Sequence, residues 1–130
     1  MNLKQDLSAA AMKRHAEGGF YRETYRRDGA VSHIFYLLPA GERAAWHKVR
    51  SDELWLFHHG GPLTLTLGGT GETPAETAAV TLSEENLSCL VPANTWQTAF
   101  APAGDAVVSC VMSPAFEWDE WTLYKEDGSL

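Results

Sequence analysis

The chain is expected to fold as an all-β antiparallel barrel or jelly roll with one short N-terminal helix. Three observations lead there. After Gly19 the apolar residues fall in short runs, and several alternate strictly with polar ones. Gly, Pro and Asn clusters punctuate those runs at regular intervals. The 130 residues hold five Trp, five Phe and four Tyr, side chains that favour strands and line pockets.

Taken in order, residues 2–14 are the one helix candidate, with Leu3, Leu7 and Ala11 at i, i+4 and i+8 and Asn2 placed to cap them. Gly18-Gly19 would end it. Residues 20–26 alternate aromatics with charges. Residues 31–38 form a continuous apolar and aromatic run, closed by Pro39-Ala40-Gly41. Residues 54–57 precede the turn His59-Gly60-Gly61-Pro62. Leu63, Leu65 and Leu67 then alternate with Thr64 and Thr66, the pattern of a half-buried strand. Runs at 78–82, 87–91, 95–100 and 106–112 continue it. Closure into a barrel of about eight or more strands would remove exposed strand edges. No repeat or linker divides the chain, so one domain over residues 1–130 is expected.

Composition narrows the function. The formal net charge of −7 and pI of about 5.1 argue against nucleic acid and anionic membrane surfaces, which need a basic patch. Arg22, Arg26 and Arg27 sit among Glu23 and Asp28, as on a solvated strand. No apolar run is long enough to span a bilayer, and no signal peptide is apparent, so a cytoplasmic protein is expected. Cys89 and Cys110 lie in apolar runs and read as buried, inert thiols. There is no nucleophile elbow, and Gly68-Gly69-Thr70-Gly71 lacks the lysine and following helix of a phosphate loop.

The densest chemistry lies between Gly41 and Gly60. Period two puts His47 and Val49 on one strand face, and Glu53, Trp55 and Phe57 on one face of the next. If both faces look inward, an imidazole, a carboxylate and two aromatics converge in a mostly apolar pocket.

These residues resemble the first motif of the cupin superfamily. Gly41, His47, Glu53 and Gly60 stand at its spacing, with Val49 in place of its second His. Of the second motif only Pro92 survives, and Gln97 stands where that motif has a metal-binding His. The stretch His15-Ala16-Glu17-Gly18-Gly19-Phe20-Tyr21-Arg22-Glu23-Thr24-Tyr25 is similar to one in the cupin_5 group of small RmlC-like proteins of mostly unassigned function. Residues 34–38, 47–55, 91–97 and 113–118 are similar to further stretches of that group. Ala16, Asn94, Ala115 and Leu56 depart from it.

His47, Glu53 and Gln97 could hold a divalent metal such as Zn, Mn, Fe or Ni, although a carboxamide oxygen is a weak third ligand. Without metal, His47 and Glu53 would form an acid/base pair, with Tyr21 or Tyr36 as a second acid. Glu23, Trp55, Phe57 and Gln97 are candidates for ligand contact. Core filling is the plainer role for the aromatics, and Trp96 is out of phase with Gln97. His58-His59 reads as a turn with exposed imidazoles, and His33 carries no partner signal. His15 fits either a helix C-terminus or a site.

The resemblance implies an isomerase or epimerase of a small sugar-like metabolite. A non-catalytic ligand-binding or sensor module is the alternative. A metal-dependent dioxygenase is disfavoured by the missing second His. A small-molecule ligand and a homodimer, closed through the aromatic first strand, are the expected partners.

Overall fold

The computed structural model describes residues 11–125. It consists of strands β1 (Lys13–Arg14), β2 (Phe20–Arg27), β3 (Val31–Leu38), β4 (Arg43–Val49), β5 (Asp52–Gly60), β6 (Leu63–Leu67), β7 (Ala78–Leu82), β8 (Ser88–Val91), β9 (Gln97–Phe100) and β10 (Ala106–Ser113). A 3-10 turn, Trp118–Glu120, then leads into β11 (Trp121–Leu123). The strands form two antiparallel sheets, ordered β1-β2-β3-β10-β5-β8 and β11-β4-β9-β6-β7.

The order follows from the side-chain pattern. Tyr36 and Leu38 on β3, Val108 and Cys110 on β10, and Trp55 and Phe57 on β5 point to one side of the first sheet. They meet Ala44, Leu63, Leu65 and Ala99 from the second. Burying this set supplies the main driving force, at about 25 cal/mol per Å² of apolar surface. Strand β10, central in its sheet, is buried on both faces over residues 106–110, whereas His33 and Phe35 on the outward face of β3 are half-buried. In β5 only the inward residues Glu53, Trp55 and Phe57 are buried, which produces its alternation.

One sequence expectation needs correction. Residues 2–10 of the proposed helix lie outside the described residues, but Lys13 and Arg14 are strand, paired with Tyr21 and Phe20. The apolar stripe ends at Ala11, so nothing holds these two residues in a helix, whereas β2 offers them backbone partners. Gly18-Gly19 is therefore not a helix stop but part of a tight loop, residues 15–19, between β1 and β2.

That loop is pinned from three sides. His15 N–H donates to Gly19 O at 2.9 Å, and Ala45 N–H on β4 donates to Glu17 O at 2.7 Å. Gly19 N–H donates to Glu42 Oε1 at 2.9 Å. The Tyr36 hydroxyl donates to Gly18 O at 2.6 Å. Gly19 has φ +75°, and a Cβ there would sit 2.7 Å from the Tyr36 hydroxyl and 2.8 Å from Leu37 O. Gly19→Ala is therefore expected to destabilise the protein by roughly 2–4 kcal/mol, the left-handed backbone and the overpacking acting together. Urea unfolding would measure it, and a midpoint equal to wild type would show that the loop is not held this way.

Candidate functional site

A cavity of about 410 Å³ lies between the sheets, lined from β2, β3, β4, β5, β10 and the segment 116–121. Its polar wall is built from the pinned loop and two strands. Fixing Glu17 O on β4 turns the Glu17 side chain inward, beside His47 of that strand. His47 Nδ1 lies 2.8 Å from Glu17 Oε2 and 2.7 Å from Ala45 O. The Nδ1–H aligns with the carbonyl and only grazes the carboxylate, so Glu17 Oε2 is buried without an aligned donor. His15 Nε2 is 3.6 Å from Glu17 Oε1. The Trp121 indole N–H, beside Glu17, is likewise buried without an aligned acceptor.

Glu53 enters from β5, where its Oε1 accepts a hydrogen bond of 2.7 Å from Gln97 Nε2. Gln97 Oε1 in turn accepts from Trp55 Nε1 at 2.9 Å. All three are almost wholly buried. The chain Trp55–Gln97–Glu53 holds Oε1 of the carboxyl, and the Cys110 thiol also lies against that carboxyl.

Charge then sorts the groups. Burial disfavours imidazolium at His47, but the Glu17 carboxylate outweighs it, and the His47 pKa rises to about 9. Burial would raise Glu17 too, and His47 more than compensates, so Glu17 stays below its ordinary value. Glu53 has no cation of its own: burial raises it, His47 opposes and Glu17 adds repulsion, and it reaches about 7. Burial lowers His15, with Glu17 opposing and His47 reinforcing. At neutral pH the site holds a charged His47–Glu17 pair beside a carboxyl poised to gain or lose a proton.

The family model described as Cupin superfamily (DUF985) matches residues 5–124. The chain belongs to that family. A crystal structure of a Shewanella oneidensis protein is similar at 28% identity, with a TM-score of 0.79 over 98% of this chain and 87% of that one. A hypothetical protein from Leishmania major is similar at 21% identity, also with a TM-score of 0.79, over 95% of this chain and 88% of that one. KdgF from a Halomonas species shares the cupin fold at 17% identity, TM-score 0.67, over 92% and 94% of the two chains. No curated protein matches this chain.

Within this cupin the sequence-derived candidates divide. His47, Glu53, Tyr21, Tyr36 and Glu23 line the cavity. Tyr36 spends its hydroxyl on Gly18 O, and its pKa is pushed well up, by burial first and then by the nearby Glu17. Glu23 is held by Arg26, whose Nε is 3.2 Å from its Oε1. Trp55, Phe57 and Gln97 do point inward, but Trp55 and Phe57 fill the core and Gln97 stands behind Glu53; none of the three lines the cavity. Trp96 donates to Gly71 O and stays out of the cavity.

The proposed metal set does not fit. Gln97 has given its oxygen to Trp55, and Val49, in the second His position, offers only carbon. Among the described residues no group of three or more His, Cys, Asp or Glu could hold a metal. Sequence reasoning missed Glu17 and the aromatic wall of Phe116, Trp118 and Trp121. The signal for Glu17 is the family-like stretch 15–25, from which the sequence reading takes His15, Tyr21 and Glu23 as candidates but not Glu17.

Stability should follow these charges. Glu53 rises from 4.5 to about 7 on folding, so its contribution falls as pH climbs through that interval. His47 rises from 6.5 to about 9, so its contribution is full below 6.5 and is lost as pH climbs through 9. Glu17, lowered from 4.5, contributes above that value and is lost on acidification. Melting temperature is therefore expected to peak at mildly acidic pH and decline to pH 9. Glu53→Gln should flatten the limb between 4.5 and 7 while keeping the alkaline limb. An unchanged profile in the variant would mean that Glu53 does not titrate there.

Proposed function

We propose that the protein is a cofactor-independent isomerase or epimerase of a small sugar-like carbonyl compound, working by proton transfer in the cavity. The observation that supports this is the pairing, on one cavity wall, of an oriented His47 imidazolium with a Glu53 carboxyl near neutrality. A general base works best with a pKa near the operating pH. His47, held in charge by Glu17, is the acid and oxyanion partner, and Glu53 is the base.

In this reading the substrate carbonyl oxygen accepts from His47 Nε2–H. Glu53 removes a proton from the adjacent carbon, and the C–H electron pair becomes the carbon–carbon double bond of an enediol. The carbonyl oxygen takes the displaced pair and the His47 proton. Return of the proton from Glu53 to the former carbonyl carbon, while the neighbouring hydroxyl gives its proton to His47 and becomes the new carbonyl, gives isomerisation. Donation of the Tyr21 hydroxyl proton to the opposite face of the original carbon, while the enediol O–H returns its proton to His47, gives epimerisation; Glu53 then loses its proton to solvent and Tyr21 regains one, Tyr36 being committed to Gly18 O. KdgF and the oxalate decarboxylase of Bacillus subtilis, both structural neighbours, support small-molecule chemistry in this fold only by analogy.

Incubating the protein in deuterated water with aldoses, ketoses and uronic acids should put deuterium on the carbon beside the carbonyl, visible by NMR. Glu53→Gln should slow exchange by about a hundredfold or more. Exchange at the wild-type rate in that variant would refute the mechanism. Saturable binding with no exchange for any compound would instead mark a ligand-binding module.

We also propose a homodimer joined through β2. Strand β1 pairs with Phe20 and Tyr21, and among the described residues no strand pairs with the outer side of residues 23–27. Light scattering should give twice the 14.3 kDa chain mass at micromolar concentration, and a monomer mass would refute the pairing.

A further inference from the structure

The face of the six-stranded sheet turned away from the cavity carries a second polar cluster. His33 on β3 and His58 on β5 lie on either side of β10 and lean over Ser109 between them. His33 Nε2 is 2.7 Å from Ser109 Oγ, and His58 Nε2 is 2.5 Å from the same oxygen. Ser109 is 1% exposed although it sits on the outward face, because the two rings cover it. On the far side of His33, Nδ1 is 2.5 Å from Thr24 Oγ1 on β2. Phe35 packs edge-on against both rings, with centroids 5.0 Å from His33 and 5.7 Å from His58.

The hydroxyl between the rings has one proton. It can donate to only one of the two Nε2 atoms, so the other ring must present its own N–H to the oxygen. Both imidazole Nε2 atoms thus converge on Ser109 Oγ, and no more than about 5.2 Å separates them, the sum of their two distances to that oxygen. Thr24 can accept from His33 Nδ1, which fixes the tautomer whose Nε2 lone pair faces the centre, as outer partners do for metal-bound histidines. A move of His58 to its Nδ1–H tautomer would turn its Nε2 lone pair toward Ser109 as well.

We propose that His33, His58 and Ser109 form a binding site for a late first-row divalent cation such as Zn²⁺, separate from the cavity. Imidazole is the preferred neutral ligand for these ions. Both rings are kept neutral near pH 7: burial lowers His33, with His58 adding to the effect, and burial lowers His58. With Nε2 ligands from two strands, the Ser109 hydroxyl beside them and water completing the shell, the site is open and exchangeable, unlike a closed four-ligand structural site. A chain of net charge −7 adds long-range attraction for a cation.

Titrating zinc chloride into the intact protein by calorimetry should give one ion per chain. His33→Ala and His58→Ala should each weaken binding by at least about tenfold, whereas His47→Ala should bind as wild type does. Should any variant fail to fold, imidazole nitrogen NMR of the wild-type protein is decisive, because zinc should move the His33 and His58 Nε2 signals and leave those of His47 in place. No binding, binding that survives both outer substitutions, or shifts confined to His15 and His47 would overturn the proposal.

Discussion

The buried pair of Glu17 and His47 is the constraint on which the site depends. Burying one charge alone between two apolar sheets costs several kcal/mol, and removing one member of such a pair leaves the other uncompensated. The fold therefore has to deliver both, from elements distant in sequence, to within 2.8 Å. It does so by backbone rather than side-chain means. The loop at 15–19 is bonded to the edge of β4, and β4 carries His47. Tyr36, Glu42 and Gly19 are best understood as parts of that delivery, since each holds the loop against the barrel and none needs to touch a ligand.

Behind the pair, the barrel separates into a dry half and a polar half. Trp55 and Phe57 close the dry half, and Gln97 forms the partition. Its two amide ends face different worlds, an indole donor on one side and the Glu53 carboxyl on the other. A carboxamide suits this place because it donates and accepts at once without adding charge. A histidine in the same position would compete with His47 for Glu53 and alter the charge balance that keeps Glu53 near neutrality. Val49 acts in the same sense, presenting carbon where a second imidazole would add a ligand.

Much of this was legible in the sequence. The alternation in β5 and β6 revealed strand faces because one side is buried and the other is not, and it placed Glu53 inward correctly. The phase of His47 was legible for the same reason. Depth was not. Period two says which face a residue is on but not how far along the barrel axis it lies, so Trp55 and Phe57 could not be told from cavity-lining residues. Glu17 was hidden for a different reason: its position depends on a loop with positive φ at both Gly18 and Gly19, and no periodicity reports on such a turn. The cluster at Ser109 was hidden too, because it draws one residue from each of three strands that become neighbours only through the β3-β10-β5 order.

The segment after β10 adds a consequence of its own. Trp118, 49% exposed, stands at the cavity wall with its ring centroid 5.3 Å from Trp121 and 5.4 Å from His15. Indole emission responds to the polarity around the ring, and a nearby protonated imidazole quenches it. The molecule thus carries its own optical probe at the entrance to the site. Anything that displaces solvent from the cavity, or changes the charge on His15, changes the light emitted by Trp118 and Trp121.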